Sequence, residues 1–207
     1  MIERAPAAVL IGRAAGWLDD GAPRAGWSRP VDTAIVLGSG QRDVPQTDLP
    51  VLRRGTGGGA VVCGTGYLML DVVLPRSHPL VLEDVTESYR WLAEWLIGAL
   101  AVDGLRALPP VEVRGQGEAD RAAARLACFA GFGPYELVCA DGRKLVGLAQ
   151  RRRRHAVLYQ AAAYIDRPVH DLAASLGEPW IAERLAEIAT LAEVAPGFAA
   201  DPPLPAL

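Results

Sequence analysis

Two features of this chain have residue types and spacing suited to chemistry: a solitary amine, and a glycine run beside two guanidinium groups. Of the 21 Lys+Arg residues only Lys144 is lysine. It stands in Gly142-Arg143-Lys144-Leu145-Val146-Gly147-Leu148-Ala149-Gln150. Arginine replaces lysine on most solvated surfaces, but a compact ammonium and a planar guanidinium place their protons differently in a reaction site. Lys144 is therefore either a required amine or an accident of composition. The second feature is Arg53-Arg54-Gly55-Thr56-Gly57-Gly58-Gly59-Ala60-Val61-Val62. A Walker loop would need Lys-Ser/Thr after its glycines and a helix, and neither follows. Gly55, Gly57 and Ala60 fit a G-x-G-x-x-A dinucleotide fingerprint, yet Val61-Val62-Cys63 opens a strand where that motif needs a helix. Two explanations remain. The run is a plain hairpin, or a turn whose backbone N–H groups approach a ligand while Arg53 or Arg54 supplies charge.

The elements around these segments follow from periodicity. Val31 to Leu37, Val51 to Arg54, Ala60 to Cys63 and Tyr67 to Leu74 read as strands between glycine-rich turns, which predicts an antiparallel meander. Asp84 and Glu87 form a capping-box pattern ahead of Val85, Tyr89, Leu92, Leu96, Ala99 and Leu100 at helical spacing. Glu118 to Ala127 is alanine-rich and helical or turn-like. Tyr135 to Cys139, Leu145 to Gln150 and Ala156 to Ile165 read as three strands, the first two joined at Asp141-Gly142. Arg151 to Arg154 would occupy the next turn. Pro179 begins a last helix with Ile181, Leu185, Ile188 and Leu191 on one face, and the tail from Pro196 is expected to be loose.

At 207 residues, 51% of them hydrophobic, the chain has material for one substantial core and is read as one domain over 1–207. A net charge of −3 argues against a general nucleic-acid binder. Cys63, Cys128 and Cys139 are odd in number and lack metal-ligand spacing, so no disulfide framework or metal site is expected, and a reducing cytoplasm fits. No apolar run has membrane-spanning length, so no membrane association is expected.

The glycine segment resembles the RRxSGGGAV signature of lipoate-protein ligases, and Gly142 to Gln150 resembles their GxKIxGxAQ segment. The resemblance covers roughly residues 30 to 175, with both motifs in order. It implies an α/β (α+β) catalytic domain of the biotin/lipoate ligase superfamily, with a mixed, largely antiparallel sheet flanked by helices. It also implies that Lys144 contacts an acyl adenylate, cradled by Arg54, Thr56, Gly57, Gly58, Gly59, Ala60, Val61 and Val62, with Gly147 and Ala149 beside it. On that reading ATP with Mg is the co-substrate and lipoate or octanoate the acyl substrate. The acceptors are lipoyl-carrier domains of 2-oxoacid dehydrogenase or glycine cleavage proteins.

A second branch of the superfamily is similar too. Cys128-Phe129, then Tyr135-Glu136-Leu137-Val138 and Gly142-Arg143-Lys144, resembles the segment of cysteine-dependent octanoyltransferases, which implies an acyl-thioester on Cys128 drawn from octanoyl-carrier protein, with no cofactor. There Lys144 would lower the cysteine pKa. Otherwise Cys128 is a small buried residue. Departures from both branches are visible. Cys63-Gly64 stands where ligases carry His-Asp, Gly57-Gly58-Gly59 where transferases carry GGR, and Gln160-Ala161-Ala162 in the region of a usual His-Gly. His155 cannot be given that histidine's role. A separate accessory subunit could complete the chain. Arg151 to Arg154 form either a solvated turn or an electropositive rim for an acidic lipoyl domain or acyl-carrier protein. The fuller glycine-segment match inclines the reading toward the ATP-dependent ligase, with the transferase second and a non-catalytic binder of carrier domains or acyl ligands third.

Overall fold

The computed structural model describes residues 1–207. In chain order the first half carries β1 (Glu3–Ala5), α1 (Ala7–Asp20), β2 (Arg24–Pro30), β3 (Ala34–Leu37), β4 (Val51–Arg53), β5 (Val61–Cys63), β6 (Tyr67–Pro75) and α2 (Arg90–Leu100). The second half carries β7 (Arg106–Ala107), α3 (Pro110–Arg114), α4 (Glu118–Leu126), β8 (Leu137–Val138), β9 (Lys144–Arg152), β10 (Ala156–Tyr164), α5 (Leu172–Leu176), α6 (Ala182–Ala186) and α7 (Leu191–Val194). Seven strands form one sheet in the order β1-β2-β6-β10-β9-β8-β7, and a separate three-stranded sheet runs β4-β3-β5. Every neighbouring pair in the large sheet is antiparallel except β1 with β2. The mixed, largely antiparallel sheet flanked by helices is therefore as expected.

The meander is not. β3 pairs with β4 in parallel and with β5 antiparallel, and β6 leaves them for the large sheet. The reason is burial: Ala34 to Leu37 are buried on both faces, so β3 sits between two strands with a core on either side. One of those cores joins Ile35, Leu37, Ala60 and Val62 to α4, α5 and Ile181. The other joins Val36, Val61, Cys63, Tyr67 and Phe129.

Helix α2 covers one face of the large sheet with Leu92, Ala93, Leu96 and Leu100, all buried. Each buried leucine stabilises the fold by about 1.5–3 kcal/mol. Its start differs from the expected one. Asp84 Oδ1 accepts from the N–H groups of Thr86 and Glu87 at 2.7 and 2.9 Å, but the α-helix begins only at Arg90, after a 3-10 turn. Glu87 accepts instead from the Tyr135 hydroxyl at 2.8 Å, so the reciprocal half of the capping box is absent. Helix α1 covers the other face, where Ala14 and Leu18 meet Val73, Ala156 and Leu158.

The expected last helix is broken into a 3-10 turn at Pro179–Ile181, α6 and α7. The tail from Pro196 is packed rather than loose. Trp27 Nε1 donates to the Pro203 carbonyl at 2.6 Å, and Phe198 meets Trp27 edge-on at 5.7 Å between centroids. No helix is long and apolar enough to cross a membrane.

Candidate active site

The two sequence motifs meet at Cys128. Ala60 forms a parallel bridge with Ala127; its N–H donates to the Leu126 carbonyl at 2.9 Å and its carbonyl accepts from Cys128 N at 3.0 Å. This contact requires Gly59, because a Cβ there would lie 2.7 Å from the backbone N and C of Ala127. Arg54 ties the glycine run from the other side, donating to the carbonyls of Gly57 and Gly59, each at 2.8 Å. Its guanidinium thus holds the loop's shape.

Lys144 is 3% exposed and spends all three of its protons inside the protein. Its Nζ donates to the Cys128 carbonyl at 2.6 Å, the Gly131 carbonyl at 3.0 Å and Glu136 Oε2 at 2.5 Å. It also lies 5.2 Å from the centre of the Phe129 ring. Glu136, 4% exposed, is as fully engaged. Besides Lys144 it accepts from Gly133 N at 2.5 Å and Leu148 N at 3.0 Å. A buried ion pair of this kind persists because every ammonium proton and both carboxylate oxygens find partners. Gly147 admits the cluster: a Cβ there would lie 3.1 Å from Cys128 Sγ, 3.5 Å from Glu136 Oε1 and 3.6 Å from Lys144 Cε.

Cys128 borders two cavities. On one side lies an apolar cleft of about 540 Å³, its open mouth included, between the two sheets and α1; Ile11, Val36, Val61, Tyr67, Met69 and Ala162 are among its walls. On the other side lies a groove of about 680 Å³, again with its mouth, between Gly57-Gly58-Gly59 and the β9 residues Leu148, Ala149 and Gln150. Cys128, Leu148 and Ala149 border both. Burial pushes the Cys128 thiol above its ordinary range; Lys144 and Arg54 pull it down and Glu136 pushes it up, and burial prevails. Lys144 thus acts in the expected direction, but burial outweighs it.

Of the residues singled out from sequence, Cys128, Lys144, Arg54, Gly57, Gly58, Gly59, Val61, Gly147 and Ala149 surround these two cavities or the thiol itself. Ala60 and Val62 turn their side chains into the core behind the small sheet; Ala60 reaches the site through its backbone bond with Cys128, whereas the Val62 carbonyl accepts from the Tyr164 hydroxyl and Val62 borders neither cavity. Thr56 is buried, donating to Gln160 Oε1 at 2.6 Å, and Gln160 in turn donates to Asp71 Oδ1 at 2.7 Å. Burial raises the Asp71 carboxyl above its usual range, against opposing hydrogen bonds from Gln160 and Arg13. Glu136 was not among the expected site residues. Its signal was a lone carboxylate in the apolar run Tyr135 to Cys139. His155 lies outside both cavities, with Nε2 against the Leu18 and Asp19 carbonyls. Cys63 and Cys139 are buried, though Cys63 also borders the apolar cleft. No cluster of three or more His, Cys, Asp or Glu residues could hold a metal.

Residues 32–193 match the family model for the lipoyl protein ligase A/B catalytic domain. The chain belongs to that family. It is 33% identical over 183 residues to the octanoyltransferase LipM of Kyrpidia tusciae, covering 83% of this chain and 64% of that protein. It is 31% identical over 149 residues to LipM of Geobacillus kaustophilus, covering 68% of this chain and 52% of that one. The chain thus spans about half to two thirds of these curated relatives. Among solved structures, the fold is similar to an ATP-bound lipoate-protein ligase A, with a TM-score of 0.66 at 22% identity over 92% of this chain and 74% of that one. A bipartite lipoate protein ligase from Thermoplasma acidophilum gives 0.65 at 23%, over 92% and 73%.

Proposed function

We propose that this family member transfers an octanoyl or lipoyl group to a lysine of a lipoyl-carrier domain, holding it first as a thioester on Cys128. The observation that carries this reading is a cysteine, Cys128, bordering both an apolar cleft and an open groove. The Cys128 sulfur attacks the carbonyl of an octanoyl-carrier-protein thioester. A new C–S bond forms, the old one breaks, and the carrier thiol leaves with the proton that Cys128 gave up. The acceptor lysine's amine then attacks the Cys128 thioester; the amide forms and the cysteine thiol is regenerated. Lys144 and Glu136 fix the backbone on either side of the thiol, through the Cys128 and Gly131 carbonyls and through Gly133 and Leu148 N–H.

The octanoyltransferase relatives support this order over the ATP-dependent ligase first favoured by the glycine segment. So does the groove's chemistry. None of its lining residues is lysine or arginine, and the Lys144 protons are spent within the protein, so an ATP–Mg complex would meet little counter-charge. The ligase remains the second reading, because the segment from Arg53 to Val62 matches that signature most fully. Intact-mass analysis of a lipoyl domain after incubation separates the two: modification from octanoyl-carrier protein without ATP, lost in Cys128→Ser, supports the transferase. Pyrophosphate release from octanoate and ATP supports the ligase. Tight carrier binding with no product under either condition would leave a non-catalytic binder.

A further inference from the structure

We propose that the groove beside Cys128 binds the pantetheine arm of the acyl donor, and that the free edge of β9 holds the arm's amides by backbone hydrogen bonds. The inference rests on the thioester reading above and assigns the groove its ligand. Strand β9 pairs with β10 from Gly147 to Arg152 in unbroken register, whereas β8 reaches only Lys144 and Val146. Beyond Val146, β9 is an edge.

In an antiparallel ladder, alternate residues turn their N–H and C=O groups toward the neighbour and away from it. Arg153 N donates to the Ala156 carbonyl at 2.8 Å, toward β10, and Leu148 N donates to Glu136 Oε1 at 3.0 Å, away from β10. Gln150 shares the parity of Leu148. Its N–H and C=O, with the Leu148 carbonyl, therefore point away from β10, on a stretch of β9 that lines the groove and lies beyond the last residue paired with β8. Unpaired edge groups of this kind are a template for an extended chain carrying amides.

The opposite wall is Gly57, Gly58 and Gly59, which offers backbone without side chains. The one ionisable carboxylate in the lining, Glu136, is satisfied by Lys144, Gly133 N and Leu148 N. The groove is thus matched to an uncharged ligand with alternating donors and acceptors. Pantetheine is such a chain: two secondary amides, ending in the sulfur that bears the acyl group. Laid along Gln150 and Leu148, it delivers its thioester to Cys128, which borders the same groove.

The test compares two donors with the same reacting bond, octanoyl-pantetheine and the amide-free thioester of octanoate with ethanethiol, by the rate of Cys128 acylation. Wild type should prefer octanoyl-pantetheine by tenfold or more. Gln150→Pro deletes the backbone N–H at an edge position that tolerates proline, and Gln150→Ala removes the side chain while keeping that N–H. The donor preference should fall about five-fold in Gln150→Pro relative to Gln150→Ala, the worth of one ordinary hydrogen bond. Equal preference in the two variants, or no preference in wild type, overturns the inference while leaving the transferase reading intact. Absence of Cys128 acylation from either donor overturns both. Should Gln150→Pro fail to fold by circular dichroism, the wild-type preference decides alone.

Discussion

The thiol, the amine and the carboxylate at the centre of the site constrain one another. Because burial outweighs the pull of Lys144 and Arg54, Cys128 forms its thiolate above the ordinary thiol range. Alkylation of Cys128 by iodoacetamide should therefore climb with pH through that range, and at about pH 8 run slower than for a free thiol. Glu136 pushes the thiol upward, so Glu136→Gln should move the alkylation profile to lower pH. A profile already flat near neutrality would mean a preformed thiolate. Lys144→Met leaves Glu136 buried without its counter-ion and should cost about 3–5 kcal/mol in urea unfolding; a loss below about 1 kcal/mol would contradict so tight a pair. Lys144→Arg keeps the charge but forces a larger head into a slot closed by two carbonyls, Glu136 and the Phe129 ring. It should abolish turnover, and overpacking adds about 1–3 kcal/mol of destabilisation.

The elements hold these groups by backbone contact at glycines. Gly59→Ala would drive a Cβ into the Ala127 backbone, so the bridge that seats Cys128 must open; acylation should fall at least about tenfold, with about 1–3 kcal/mol lost in stability. At Gly147 a Cβ meets only the sulfur closely, at 3.1 Å. Gly147→Ala should thus slow acylation while the melting temperature stays within a few degrees. Equal stability losses at the two glycines would show that Gly59 has no special contact. Both glycines were visible in the sequence, but their reasons were not. Local pattern located β9, β10 and the turn at Asp141-Gly142 closely, since these pair with near neighbours in the chain. It missed that β3, β4 and β5 form a separate sheet, because a parallel pair depends on a connection that alternation does not report. Glu136 was passed over for a similar reason: its partners come from residues 133, 144 and 148, and only the fold brings them together.

Across the whole molecule, the last residues close the core rather than trail from it. Trp27 is 5% exposed beneath Phe198 and Pro203. Removing residues 196–207 should lower the melting temperature and shift tryptophan emission to the red; an unchanged spectrum would mean that the tail does not cover Trp27. Proline- and alanine-rich composition gave no hint of this packing, which depends on one indole and one ring far apart in sequence. The buried thiols also set an alkaline limit. Burial, with the nearby Asp32 and Asp71 charges, pushes Cys63 up to about 12, so the unfolded chain releases this proton first as pH rises. The stability held below the ordinary thiol pKa is therefore lost progressively toward about 12, and Cys63→Ala should flatten the alkaline decline in denaturant midpoint.

The proposed transfer runs through an acyl group carried on Cys128, and this is open to experiment. It is tested most directly by mixing the protein with octanoyl-carrier protein in the absence of ATP, quenching in acid and mapping the adduct by peptide mass spectrometry. An octanoyl group is expected on the peptide containing Cys128, discharged when a lipoyl domain is added. Lipoyl-domain modification that never passes through Cys128, or that appears only with ATP and persists in Cys128→Ser, would contradict it.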